Sequence, residues 1–199
     1  MTEIVKEIKK FNLNMHVARL LQQEPFFASL SRRIDKRSST LLPTAGVRVN
    51  PETAQFEMLY NPEFFAGLTD KQRQGVLIHE FYHLVFEHVT SRKPEGVPHL
   101  MWNVAADLSI NCLIGKDNLP EMCCYPGAKD TQFENYPSGK TAEYYLKMIQ
   151  EDEQFKNEGG EGCQGEGDSN GSGEGSGSGE GESGNEPGSG KGKGLGDGQ

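Results

Sequence analysis

Two segments near the start of the chain place apolar residues three or four positions apart, which is the spacing of one face of a helix. The first segment spans residues 4–21. The second begins at Pro25, and proline suits the first position of a helix because its missing N–H would lack a partner there in any case. The side chains expected to face inward on the second helix are Phe26, Phe27, Leu30 and Ile34. The chain is therefore predicted to open with two helices.

Alternating apolar and polar residues then replace the helical spacing, and this alternation is typical of half-buried strands. Residues 46–50 and 55–60 alternate in this way. The sequence Asn-Pro-Glu-Thr at 50–53 is rich in turn formers and predicts a hairpin between the two strands. Residues 36–40 are polar and are predicted to be a connector, while the Asn-Pro pair at 61–62 is expected to end the second strand.

Helical spacing returns in the second half of the domain. The longest predicted helix runs from about residue 70 to residue 89, and another covers residues 100–114, where Gly115 suits a helix end. Residues 116–139 contain many turn formers and are predicted to be irregular surface chain, before a last helix over 142–154. Helices, a small sheet or hairpin and further helices, in this order, predict an α+β domain.

The composition changes sharply at residue 158. Residues 158–199 hold 18 of the 25 glycines, together with serine and acidic residues. Such a segment cannot bury enough apolar surface to fold, so we expect a folded domain over 1–157 and a disordered Gly/Ser/Glu linker or tail over 158–199. The tail carries nine acidic residues against two lysines, so most of the formal net charge of −9 lies there and the domain is nearly neutral.

A nearly neutral domain lacks the clustered basic face that a nucleic-acid binder needs. No run approaches the roughly 18 apolar residues of a membrane span, and the charged start of the chain differs from a signal peptide. The adjacent pair Cys123 and Cys124, with Cys163 inside the predicted tail, argues against a disulfide framework. These features predict a protein of the reducing cytoplasm that acts without nucleic acid or membrane.

The longest predicted helix contains the sequence His79-Glu80-Phe81-Tyr82-His83. Four residues advance a helix by about 400°, so both imidazoles project from one face about 6 Å apart along the axis, where one metal ion can bridge them. The carboxylate of Glu80 lies one step around the helix and can reach a water at the metal without displacing it. This spacing predicts two ligands of a zinc site and an adjacent general base.

A catalytic zinc ion needs a third protein ligand, and the same helix does not supply it. Glu87 lies about 12 Å along the helix axis from His79, too far to share one ion. It remains a candidate acceptor for an imidazole N–H. His88 is nine residues from His79 and is expected to point to the opposite side of the helix.

The following helix offers a better ligand. Asn103 and Asp107 form a polar pair on an otherwise apolar face, and a buried carboxylate requires a cation. Asp107 is the preferred third ligand because a helix positions a side chain more accurately than a loop does, and His99 in the preceding loop is the alternative. Asn103 and Asn111 are candidates to orient the ligands.

The motif at 79–83, preceded by Gly-Val-Leu-Ile, and the sequence Trp-Asn-Val-Ala-Ala-Asp-Leu-Ser-Ile-Asn at 102–111 together resemble the metallopeptidase domain that precedes a von Willebrand factor A-like domain in bacteria and phages. The resemblance runs from about Pro25 to Ile149 and implies a zincin-like fold, in which an active-site helix is followed by a ligand helix. Members usually continue through a Gly/Ser/acidic linker into that second domain, and genes of this kind often neighbour MoxR-type ATPases. The roles implied are zinc ligands for His79, His83 and Asp107 and catalytic acid/base for Glu80.

Together these residues predict a zinc-dependent metallopeptidase that hydrolyses a peptide or protein substrate with a metal-activated water and Glu80 as general base. The candidate donors to the oxyanion of the reaction are Tyr82, Tyr125 and Tyr136.

The alternative function is a catalytically silent module in which zinc ties two helices together. Such a module would work with the von Willebrand factor A-like domain or the MoxR-type ATPase. A closed zinc site needs a fourth protein ligand, and the candidates are His99, Cys112, Cys123 and Cys124.

Overall fold

Residues 11–152 are described by the computed structural model, and they form an α+β fold as the sequence predicts. The helices are α1 (Leu13–Gln23), α2 (Pro25–Ser31), α3 (Pro62–Gly67), α4 (Asp70–Val85), α5 (His99–Ile114) and α6 (Ala142–Glu151). The strands are β1 (Asp35–Ser38), β2 (Ala45–Val49) and β3 (Phe56–Tyr60), and a short 3-10 helix spans Lys116–Asn118. The predicted tail, Cys163 and the first residues of the predicted opening helix lie outside the described residues.

The three strands form one sheet in the order β1-β3-β2. β2 and β3 are antiparallel, which confirms the predicted hairpin. Its turn is stabilised by Asn50, whose side-chain oxygen accepts hydrogen bonds from the backbone N–H groups of Glu52 at 2.9 Å and Thr53 at 3.2 Å. Asparagine favours such turns because its side chain can bond the backbone two or three residues ahead.

One strand and one α-helix of the fold are missing from the sequence prediction. β1 pairs in parallel with β3 inside the stretch predicted to be a connector. It is an edge strand with mostly exposed side chains, so no apolar alternation marks it. α3 begins at Pro62, where the prediction placed only the end of a strand, and the side chain of Asn61 caps it by accepting from the N–H of Glu63 at 2.9 Å.

α4 is the central helix of the fold, because it packs against α1, α2, β2 and α5. Thr69 caps its start in a capping box with Gln72. Its apolar face packs over the sheet, with Leu77 and Phe81 completely buried. The helix ends at Val85, four residues earlier than predicted.

α5 lies between α4 and α6 and is buried on most of its surface. It begins at His99, one residue before the predicted start, and it ends before Gly115 as predicted. A second apolar cluster forms where α5 packs on α6, and it includes Trp102 and Tyr145. This burial places every side chain in the middle of α5, polar ones included, inside the protein.

One inward-facing prediction for α2 is wrong. The side chain of Phe26 is 61% exposed, whereas Phe27 is 6% exposed and packs in the core. Successive residues lie about 100° apart around a helix, and the buried face of α2 includes Phe27 and Ala28 but not Phe26.

The close approach of α4 to the segment after α5 depends on Gly75. A Cβ atom at this position would lie 1.8 Å from the backbone oxygen of Asn118. Because backbone cannot move aside as a flexible side chain can, this crossing requires glycine.

None of the helices within 11–152 combines the length and apolar character needed to cross a bilayer.

Candidate metal centre

His79 and His83 project from one face of α4, as their spacing of four predicts. Their Nε2 atoms are 3.0 Å apart. Both side chains are buried, with exposures of 2% for His79 and 6% for His83. Two unprotonated imidazole nitrogens this close would repel each other unless a proton or a cation lay between them.

Asp107 of α5 faces the same point from the other side. Its Oδ1 atom is 3.1 Å from Nε2 of His83 and 3.5 Å from Nε2 of His79. Among the described residues, one group of His, Cys, Asp and Glu side chains lies close enough together to share a metal ion, and it consists of these three residues. Bonds of 2.0–2.1 Å to a tetrahedral zinc ion would hold donor atoms about 3.3 Å apart, so the observed separations fit.

The electrostatics of Asp107 also suit a cation. The carboxylate is 2% exposed, and its Oδ1 atom makes no well-aligned hydrogen bond with any residue of the 11–152 segment. Burial alone would raise the pKa of Asp107, but the imidazoles of His79 and His83 lower it to about 2. The group is therefore a buried anion at neutral pH, and a buried anion needs a positive partner.

Two asparagines of α5 orient these side chains. The side-chain oxygen of Asn111 accepts a hydrogen bond from Nδ1 of His79 at 2.8 Å, which places the proton on Nδ1 and leaves the lone pair of Nε2 facing Asp107. Nδ2 of Asn111 donates to the carbonyl of Cys124 at 2.9 Å. Nδ2 of Asn103 donates to Oδ2 of Asp107 at 3.2 Å, so Oδ1 remains directed at the imidazoles.

We expect the replacement of Asn111 by leucine to weaken zinc affinity by about 10- to 100-fold, because partners that orient a metal-binding histidine contribute that much. The Asn111→Asp variant keeps an acceptor for Nδ1 of His79 and should retain more of the affinity. Competition titration with a zinc chelator measures both variants, and circular dichroism checks their folding. Equal zinc affinity in wild type and folded Asn111→Leu would contradict this orienting role.

Glu80 is 1% exposed on α4, next to His79 in sequence.

The three candidate oxyanion donors differ in their surroundings. The hydroxyl of Tyr136 donates to Asp152 at 3.1 Å, and Tyr82 packs against Phe86 at a ring-centroid distance of 5.2 Å. The hydroxyl of Tyr125 is buried and has no hydrogen bond to a described residue, and burial raises its pKa.

The alternative ligands lie outside the three-residue group. His99 is the first residue of α5 and not part of a loop, and it does not join His79, His83 and Asp107. Neither do the three cysteines of the described chain, which are not in disulfides. Among residues 11–152, no fourth His, Cys, Asp or Glu completes the group.

His88 is placed differently from the prediction. It is 4% exposed, and its ring lies 5.4 Å from the ring of His83 and 5.6 Å from that of Trp102. Nε1 of Trp102 donates to the carbonyl of His88 at 2.8 Å. Burial, helped by the charges of His83 and Arg92, lowers the pKa of His88 to about 3, so the ring is neutral at neutral pH.

The early end of α4 explains why the side chains of Glu87 and His88 do not lie where the sequence predicted. Glu87 adopts a φ of 58°, in the left-handed region, and this turns His88 back toward His83 instead of away from it. Glu87 itself is exposed and accepts a hydrogen bond from Ser91, so it is not an acceptor for an imidazole of the site. Helical spacing could not reveal this, because no glycine or proline marks the helix end.

The fold and this side-chain group define a mixed α+β domain with a candidate metal centre between two helices. A family model described as "Putative metallopeptidase domain" matches residues 9–199, nearly the whole chain, and the protein belongs to this family. The family description indicates a metal-dependent peptidase. Comparison with curated proteins and with solved structures found no significant match.

Proposed function

We propose that the protein is a zinc metallopeptidase of the HExxH type, with a zincin-like arrangement of active-site helix and ligand helix. The observation that carries the proposal is the convergence of three donor atoms, from His79, His83 and Asp107, at separations of 3.0–3.5 Å. Two neutral nitrogens and one carboxylate oxygen are a donor set that zinc accepts. Membership of the metallopeptidase family supports the same activity.

Each side chain of the site has a distinct part in this proposal. His79, held by Asn111, and His83 present Nε2 lone pairs, and Asp107 supplies the negative charge that a divalent cation needs. A bound zinc ion supplies Lewis acidity toward a water molecule and the peptide carbonyl. Glu80 takes the proton from the attacking water and delivers it to the leaving amine.

The proposed substrate is a peptide or an unfolded protein. We further propose that the folded domain covers residues 1–157, that 158–199 is a linker, and that the partner is a von Willebrand factor A-like domain or a MoxR-type ATPase. The basis for the partners is the resemblance of the two motifs at 79–83 and 102–111, and the basis for the linker is its glycine-rich composition.

One observation favours a second candidate function, the silent zinc-stabilised interaction module. The three proposed ligands and Glu80 are all 6% exposed or less, so the described residues enclose the site closely. A zinc ion there would join α4 to α5 whether or not a substrate could reach it.

Metal-dependent hydrolysis separates the two candidates. We expect the purified full chain to contain about one zinc ion per molecule and to cleave a denatured protein, with products identified by mass spectrometry. Removing zinc with a chelator should stop cleavage, and adding zinc should restore it. Stoichiometric zinc without cleavage of any unfolded substrate would instead support the silent module.

A further inference from the structure

A cavity lies where α1 meets the first turn of α4, apart from the metal centre. Its volume is about 200 Å³, and none of the three proposed zinc ligands lines it. Pockets for drug-sized ligands measure about 300–1,000 Å³, so this cavity suits a small molecule or one terminal residue of a chain. The polar residues around it are Asn12, His16, Arg19, Asp70 and Arg73.

His16 is the buried polar group of this cavity. It is 4% exposed, and its Nδ1 atom makes no hydrogen bond to any residue of the described chain. The carboxylate of Asp70 is 4.0 Å from Nδ1, beyond hydrogen-bond range. Burial, followed by the charge of Arg73, lowers the pKa of His16, so the ring is neutral at pH 7 and carries one N–H donor. In the tautomer that carries its proton on Nδ1, a ligand that accepts a hydrogen bond from this atom would relieve the cost of its missing partner.

The cavity also has an excess of positive charge. Nη1 of Arg19 donates to one oxygen of Asp70 at 2.8 Å, and Nη1 of Arg73 donates to the other at 2.9 Å. The other nitrogens of Arg73 donate to the backbone carbonyls of Phe65 and Ala66. Two guanidinium groups against one carboxylate leave a net charge of +1.

Arg19 keeps a donor edge for a ligand. Its side chain is 48% exposed, and within residues 11–152 only its Nη1 atom makes a hydrogen bond. Nε and Nη2 form the planar fork that matches the two oxygens of a carboxylate.

Apolar surface lies beside these donors. The ring of Phe11 stacks on His16 with centroids 5.5 Å apart, and the side chain of Met15 is 51% exposed. Both residues line the cavity. A ligand in this position would therefore meet hydrogen-bond donors and an apolar wall together.

We propose that this cavity binds a carboxylate carried next to an apolar group, as at the C-terminus of a peptide that ends in an aliphatic residue. The free edge of Arg19 pairs with the carboxylate, and the N–H of His16 donates to one of its oxygens. The aliphatic group covers Phe11 and Met15. A phosphate dianion fits less well, because the negative charge of Asp70 lies beside the same donors.

The test titrates the full chain with N-acetyl-leucine and with N-acetyl-leucinamide, which has the same shape but no charge, and follows binding by two-dimensional NMR. We expect the acid to shift signals of residues around the cavity and the amide to bind at least about tenfold more weakly, because charge-assisted hydrogen bonds are the stronger ones. The tripeptide Ala-Ala-Leu, as free acid and as amide, tests whether a peptide terminus is accepted. Tighter binding of inorganic phosphate, or equal binding of acid and amide, would overturn the proposal.

Two variants locate the binding. Arg19→Gln should weaken binding of the acid at least about tenfold, since it removes the fork but lies on the exposed side of a helix. Arg33→Gln changes an exposed arginine that does not line the cavity, and it should leave binding unchanged. His16→Phe keeps the stacking on Phe11 and removes the N–H, and it too should weaken binding. Unchanged affinity in Arg19→Gln would be decisive against the site even if His16→Phe failed to fold.

Discussion

The Asp107→Asn variant will lose zinc, whereas His99→Ala will keep it. Asparagine has the shape of aspartate but no charge, and the buried site then offers two neutral imidazoles without an anion. We expect zinc affinity to fall by more than the roughly 100-fold that loss of an orienting partner costs, because here a donor itself is changed. Metal analysis after dialysis against a weak chelator measures the loss directly.

The paired His99→Ala variant controls for changes at α5 that do not touch the proposed ligands. His99 lies two turns before Asp107 on the same helix. Thermal unfolding without zinc should show that both variants fold, since an asparagine side chain fills nearly the same volume as the aspartate that it replaces. If His99→Ala lost zinc and Asp107→Asn retained it, the ligand assignment would be wrong.

The Glu80→Gln variant will keep zinc and lose peptide hydrolysis. Glutamine has nearly the same volume as glutamate but cannot accept a proton, and general acid–base groups contribute about 10²- to 10⁴-fold to rate. Turnover of a denatured protein and zinc content should be measured on the same sample. Glu87→Gln is a matched control, because Glu87 is an exposed glutamate just beyond the end of the same helix and should leave both quantities unchanged.

The outcomes of this experiment separate the two candidate functions. Loss of turnover with zinc retained supports catalysis by Glu80. Full turnover in Glu80→Gln would show that Glu80 is not the general base. No turnover in either the wild type or the variant would favour the zinc-stabilised module.

The site was predictable from sequence where regular helix geometry decides it. His79 and His83 are four residues apart within one helix, so their common face follows from 3.6 residues per turn. The approach of Asp107 is a tertiary contact, and the sequence indicated it only indirectly, through a carboxylate among apolar residues. Asn103 and Asn111 were expected to orient the ligands, and both contact them. This too follows from helix geometry, because each asparagine lies one turn from Asp107 on the same helix.

Other features depend on contacts that no local pattern records. β1 exists because β3 lies beside it, and its own residues are polar. The turn at Glu87 needs a left-handed backbone at a residue that does not favour it, so helical spacing extended α4 too far. The position of His88 follows from that turn, and it was therefore predicted on the wrong side.

Trp102 is the single tryptophan of the chain. It is 2% exposed and lies against His88, which in turn lies against the proposed ligand His83. Indole emission is sensitive to the rings and charges near it, so occupancy of the centre should alter the fluorescence of this residue. Trp102 would thus serve as an intrinsic optical reporter of metal binding at the candidate centre, and titrations could be followed without a label.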